Sequence, residues 1–295
     1  MVKAALKKGY QLLPFKKNVF DVLKAVYVPS KDVTKHLHFQ GDFKVKVKPG
    51  AAFKMQSMGY QIENELYWHG LYDGWERYSQ KLWAQLCEKA EIIVDIGANN
   101  GLYSLVARTV NSECTIYAAE PLEFILKNFE YNLGINHMDD IHVLRLAFSD
   151  YNGEGVVYLP KDAEYIRSAA VNTNLLNREA ARIDKVTIQT QTLESFIEQT
   201  GIEKIDLIKV DVESHEPAVL KGMGPYLERF KPAILAEVSY DGVGEKLNAI
   251  LDGMGYLYFN IDENKGVRLE EKLSYSDSDN YLICTEEQAR SIQLL

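Results

Sequence analysis

The stretch Ile92-Ile93-Val94-Asp95-Ile96-Gly97-Ala98-Asn99-Asn100-Gly101 decides how this chain folds. Its β-branched run reads as a strand, an acid sits near its end, and a glycine-punctuated turn leads into the apolar Leu102-Tyr103-Ser104-Leu105-Val106-Ala107, which reads as a helix. Strand, turn and helix in that order open a doubly wound α/β domain, whose ligand crevice lies beyond the carboxyl ends of its strands. Gly97 and Gly101 let the backbone turn sharply and approach a ligand, and the amides at the helix start are expected to face it.

The glycine pattern, Asp-x-Gly-x-x-x-Gly, has Ala98 and Asn99 after Gly97 and so lacks the second glycine that admits a dinucleotide's pyrophosphate. Asp95 suits an ammonium group and the helix-start amides suit a carboxylate, the pairing offered by the amino-acid tail of S-adenosylmethionine. A strand-to-helix turn without a ligand has the same local pattern, so the neighbouring stretches matter. Thr115-Ile116-Tyr117-Ala118-Ala119-Glu120-Pro121 is a second strand ending in an acid, where a doubly wound fold holds ribose hydroxyls. Ile205-Asp206-Leu207-Ile208-Lys209-Val210-Asp211-Val212-Glu213 is a third, and Ser214-His215-Glu216-Pro217-Ala218-Val219-Leu220-Lys221-Gly222 follows it. Charge gathered at a strand's carboxyl end marks a site. Asp211, Glu213, His215 and Glu216 are the catalytic candidates, with His215 favoured as base because its ordinary pKa is nearest neutrality. In the bland reading Glu216 or Ser214 caps the next helix, and Pro217 suits its first turn.

In their order and spacing these motifs resemble the FkbM-type S-adenosylmethionine-dependent methyltransferases, over roughly residues 83–283. Ser214 stands where many members carry glycine, and Pro217 follows one branch of the family. The resemblance implies an α/β fold with a doubly wound, Rossmann-like class I methyltransferase sheet. It implies S-adenosylmethionine as cofactor, held by Asp95, Gly97, Ala98, Asn99, Gly101, Glu120 and Pro121, and an adenine flanked by Phe148 and Asp150. It also implies O-methylation of a small molecule or glycan by direct in-line displacement.

Outward from this centre, residues 81–295 are assigned to the methyltransferase domain and residues 1–80 to a small α+β appendage, a candidate acceptor-side cap. The appendage opens lysine-rich, with Lys3, Lys7, Lys8, Lys16, Lys17 and Lys24 against Asp21. Val19, Val22, Leu23 and Val26 recur at helical spacing, for a helix laid on the main domain or, less favoured, on a membrane surface. Alternation through Asp42-Phe43-Lys44-Val45-Lys46-Val47-Lys48 and then Pro49-Gly50 predict a β-hairpin. The aromatic and acidic run from Glu65 to Glu76 either lines an acceptor pocket or packs the appendage onto the main domain. Further on, Val156-Val157-Tyr158-Leu159 and Val186-Thr187-Ile188-Gln189-Thr190 read as an antiparallel pair. Between them, residues 162–182, with Arg167, Arg178 and Arg182, are a loop that closes over an acceptor or lies in solvent.

The net charge of −9 over 295 residues argues against nucleic acid as the main partner. Cys87, Cys114 and Cys284, odd in number and widely spaced, read as buried thiols of a reducing compartment. No cleavable signal or membrane-length apolar run is visible, so a cytoplasmic location is expected. Asp211, Glu213 and Glu216 match no metal-ligand spacing, and no metal is assigned. Two alternatives stay open, an NAD-dependent oxidoreductase and a cofactor-binding scaffold without turnover.

Overall fold

The structure, a computed structural model, describes residues 15–160 and 183–295. The loop arginines Arg167, Arg178 and Arg182 and the first lysines, Lys3, Lys7 and Lys8, lie outside the described residues.

The elements run α1 (Lys16–Val26), α2 (Lys31–Thr34), β1 (Gly41–Lys48), β2 (Ala51–Ser57), α3 (Gln61–His69), α4 (Arg77–Cys87), β3 (Ile92–Ile96), α5 (Leu102–Val110), β4 (Thr115–Ala119), α6 (Glu123–Gly134), β5 (His142–Leu144) and β6 (Ala147–Phe148). They continue β7 (Gly153–Pro160), β8 (Ile183–Gln191), α7 (Leu193–Thr200), β9 (Leu207–Val210), α8 (Glu216–Lys221), α9 (Pro225–Phe230), β10 (Ala233–Glu237), α10 (Asp241–Leu251), β11 (Leu257–Asp262), β12 (Gly266–Glu270), β13 (Asn280–Cys284) and α11 (Glu286–Ser291).

Eight strands form the central sheet in the order β12-β11-β13-β10-β9-β3-β4-β5. From β5 to β10 the pairings are parallel, whereas β13 lies antiparallel between β10 and β11. The chain moves from β3 outward through β4 to β5, then returns to β9 on the other side of β3. That reversal opens a crevice beyond the carboxyl ends of β3 and β9, as expected for a doubly wound sheet. The central strands are apolar on both faces because helices cover both: every residue of β9 is buried, as are all of β3 but the first. A three-stranded sheet, β6-β8-β7, flanks this layer and contains the expected antiparallel pair, with Gly153 opposite Thr190 and Val157 opposite Val186.

The appendage is the β1–β2 hairpin with α1, α2 and α3. Phe20, Phe39, Phe43, Tyr67 and Trp68 pack edge to face at its centre. Its core is continuous with that under α5 and α6. Asn132 of α6 and Asn136 just beyond it accept from the Gln56 and Lys54 amides of β2, at 2.8 and 2.7 Å. Tyr67 and Trp68 are therefore packing residues. Phe20 of α1 turns inward, while Phe15, Val19, Val22 and Val26 stay exposed. Among the described residues no helix is long and apolar enough to cross a membrane. The sequence reading missed β12 and α11, which are short and half-exposed and give little periodic signal.

Candidate active site

A cleft of about 290 Å³ lies at the carboxyl edge of the sheet, across the reversal point. The sheet order decides what each part of its wall offers. On the β5 side stand Leu146, Ala147 and Phe148; then Glu120, Pro121 and Leu122 after β4; Gly97, Ala98 and Asn99 after β3; Asp211, Val212 and Glu213 after β9; and Glu237 at the end of β10. The four gaps between those five strands span about 19 Å at the usual inter-strand spacing. Across that span the wall passes from apolar, through a single carboxylate, to strongly acidic.

Gly97 holds the two halves together. It sits at φ 80°, and a Cβ there would stand 2.0 Å from the Asp211 carbonyl oxygen, so the loop after β3 packs directly on the end of β9. The loop amides before the helix turn inward. Those of Gly97 and Ala98 both donate to the Ala119 carbonyl at 3.0 Å, that of Asn99 to the Glu120 carboxylate at 3.2 Å, and that of Gly101 to the Ala98 carbonyl. Their donors are spent on fixing the turn against β4. Glu120 also accepts from the Leu122 amide at 2.9 Å and is almost wholly buried on the cleft wall. Burial pushes its carboxyl up to about 7 despite those two amides.

The acidic end is a network. Lys209, 1 % exposed in the middle of β9, reaches Asp211 at 3.0 Å and lies over the Tyr103 ring. The Tyr103 hydroxyl donates to Glu76, which also accepts from the Asn280 amide at 3.2 Å. Burial opposes the Lys209 charge, yet Asp211 and Glu76 more than offset it and hold the ammonium above its ordinary range. Glu213 is pushed up to about 7, by burial and then by Asp211. Glu237, whose Oε2 has no hydrogen-bond partner among the described residues, is pushed up to about 9 by burial, Asp211, Glu213 and Glu216. One lysine cannot balance four carboxyls at close quarters.

Backbone strain collects here too. Glu76, Asn99, Glu213 and Ser214 have positive φ, between 47° and 75°. Ser214, at 75°, occupies a conformation that glycine adopts at no cost, which explains why glycine suits that place in the motif.

Of the expected site residues, Gly97, Ala98, Asn99, Glu120, Pro121, Phe148, Asp211, Glu213 and His215 share this cleft. Asp95, Gly101, Asp150 and Glu216 do not line it. Asp95 is buried behind the loop, accepting from Ser104 Oγ at 2.6 Å, with its carboxyl pushed up to about 6 by burial. Gly101 begins α5 against the Phe129 ring. Asp150 turns outward to Lys221 at 2.9 Å. Glu216 is fully buried and accepts from the Val212 and Ser214 amides, so it braces the strained turn, the role of a first-turn acid. His215 lines the cleft with Nε2 2.9 Å from Ser149 Oγ, and burial lowers its pKa. Sequence reading placed Glu76 only within a run that lines an acceptor pocket or packs the appendage, and did not single out Tyr103 or Glu237 as cleft residues. Glu237 carried one signal, an acid closing an apolar strand.

The FkbM methyltransferase domain matches residues 95–259, more than half of the chain and all the strand ends that build the cleft's floor. The chain belongs to the FkbM methyltransferase family. The chain is similar to the methyltransferase sdnD of Sordaria araneosa, 27% identical over 188 residues, covering 56% of this chain and 73% of sdnD. The 2-O-methyltransferase NoeI of Sinorhizobium fredii is 26% identical over 147 residues, covering 46% of this chain and 59% of NoeI. The hexuronic acid methyltransferase AglP of Haloferax volcanii is 26% identical over 147 residues, covering 48% and 54%. Among the described residues no group of His, Cys, Asp and Glu is arranged to hold a metal ion.

Proposed function

We propose that this cleft binds S-adenosylmethionine and that the chain transfers its methyl group to a hydroxyl of a small-molecule or glycan acceptor. The reading is carried by the gradient along the cleft. Phe148, Leu146 and Pro121 offer an apolar slot for a flat base, Glu120 in the middle offers acceptor oxygens to ribose hydroxyls, and the acids around Asp211 suit a cationic tail. The unpartnered Glu237 Oε2 points the same way, because a buried carboxyl oxygen without a donor fits beside a positively charged ligand. These residues also accommodate the tail's ammonium without Asp95. The names of NoeI and AglP support oxygen as the methylated atom and a sugar as one acceptor class.

When bound, the cofactor supplies an electrophilic methyl on a sulfonium. The protein's part is to align an acceptor oxygen with that methyl and take up the hydroxyl proton. Alignment alone is worth about 7 kcal/mol or more in well-oriented systems. His215 is the proposed proton acceptor. Its lowered pKa keeps the ring neutral near pH 7, and Ser149 fixes its orientation. Glu213, at about 7, is the alternate. Titration calorimetry with S-adenosylmethionine and with NAD, followed by detection of S-adenosylhomocysteine on an acceptor panel, tests the reading. Binding of NAD in place of S-adenosylmethionine would overturn it, and binding without turnover on any acceptor would reduce the chain to a scaffold.

A further inference from the structure

We propose that a second, larger cavity beneath the N-terminal appendage is the acceptor site, and that it takes a neutral, polyhydroxylated ring such as a sugar residue. The inference rests on the methyl-transfer reading of the neighbouring cleft. This cavity, about 580 Å³, lies between α2, α3 and the start of α6, and its volume falls in the ~300–1,000 Å³ range of small-molecule sites. Ile62, Trp75, Asn99, Asn100 and Ile125 line both spaces, so the two are adjacent, and Trp75 is next in sequence to the acidic end's Glu76.

Its wall has the chemistry of hydroxyl recognition. Five side-chain amides line it, those of Gln61, Asn64, Asn99, Asn100 and Asn128. An amide both donates and accepts, as a hydroxyl does. Asn64 is only 3 % exposed; its Nδ2 is spent on the Thr34 carbonyl at 2.7 Å, which fixes the amide's orientation, and its Oδ1 has no partner among the described residues. Asn128 Oδ1 is likewise buried and unpartnered. Buried acceptors are nearly always satisfied, and ligand hydroxyls would satisfy these two. Trp75, Tyr60 and Phe124 supply ring faces, and Phe124, 46 % exposed, leaves its ring open to a ligand. The lysines on the wall are already matched, Lys31 with Glu65 at 3.5 Å and Lys35 with Asp32 at 2.8 Å. Burial keeps His38 below its ordinary pKa. A wall rich in amides and rings, with its lysines compensated, selects hydroxyls over charge.

The test uses the full chain saturated with S-adenosylhomocysteine, a panel of neutral methyl glycosides, and a methyl glucuronoside as the charged arm. Saturation-transfer NMR and calorimetry read the binding. At least one neutral glycoside should bind the saturated protein, and Asn64→Ala and Phe124→Ser should each weaken it about tenfold, with S-adenosylhomocysteine affinity unchanged. Phe124 is exposed, so its variant keeps the test decisive if Asn64→Ala, which unties α3 from the end of α2, fails to fold. The proposal is overturned if no glycoside binds the saturated protein, if glycosides compete with S-adenosylhomocysteine, if the glucuronoside binds tighter than its neutral parent, or if neither variant changes the affinity. A chain that binds glycosides through Asn64 and Phe124 but not S-adenosylhomocysteine would overturn the cofactor reading and leave the cavity's ligand class standing.

Discussion

Replacing Glu237 by glutamine should change how stability depends on pH more than it changes stability itself. The Glu237 carboxyl is raised from 4.5 to about 9, first by burial and then by Asp211, Glu213 and Glu216. Between those two values the unfolded chain has released a proton that the native chain still holds. Stability from this group is therefore complete below pH 4.5 and is lost as pH rises through 9. A whole proton corresponds to about 1.4 kcal/mol per pH unit, and sharing among neighbouring acids reduces that to ~0.7–1.4 kcal/mol. Glutamine mimics the protonated form and has no proton to lose. Urea unfolding of the ligand-free protein at about pH 5.5, 7 and 8.5 measures the effect. Relative to their agreement below pH 4.5, the variant should lead wild type by ~0.7–1.4 kcal/mol at the lowest pH and by about 3–6 kcal/mol at the highest. Glu120, Glu213 and Glu216, all raised, give both proteins a falling profile, so the difference between the profiles is the quantity that matters. Parallel profiles would refute the picture of an acid cluster short of positive charge.

Glu120→Ala should weaken S-adenosylmethionine by about 1.5–3 kcal/mol, the usual cost of losing a charged hydrogen-bond partner, with calorimetry on a variant of native circular dichroism as the check. Gly97→Ala should lower stability by about 3 kcal/mol or more, since its Cβ would meet a backbone carbonyl at a positive-φ position; a melting temperature within a degree or so of wild type would contradict that packing. Lys209→Ala leaves Asp211 and Glu76 uncompensated and should cost about 3–5 kcal/mol in urea unfolding. His215→Ala should reduce single-turnover methyl transfer at least ~10-fold with cofactor affinity unchanged, a loss in line with a missing general base. Lys221→Ala, whose ammonium lies outside the cleft with Asp150, should transfer normally.

Much of the fold is legible in the sequence because the informative signals are local. The run at Ile92–Ile96, the glycines after it and the acids closing successive strands act within a few residues of each other. They specify the parallel centre of the sheet and the edge at which the candidate cleft opens. The same locality leaves the direction of a side chain open. Asp95 and Glu216 are acids in motif positions, but whether a carboxylate faces a cleft or a neighbouring hydroxyl or amide depends on a rotation of one side chain. Ser104 captures the first, and the Val212 and Ser214 amides capture the second. The loop amides before the helix are captured in a like way. Their acceptors are the Ala119 carbonyl and the Glu120 carboxylate, supplied by the adjacent strand.

By itself, then, the sequence determined the class of sheet, the edge that carries the site, and the strand ends that supply Glu120, Asp211 and Glu213. Only the tertiary structure brought Glu76, Tyr103, Lys209 and Glu237 into one network, from segments before α4, within α5 and at two separate strands. Only it laid α2 and α3 beside the start of α6 to form a second cavity. Electrostatic coupling and enclosure depend on distance through space and on the water excluded, and neither quantity is encoded in the spacing of residues along the chain.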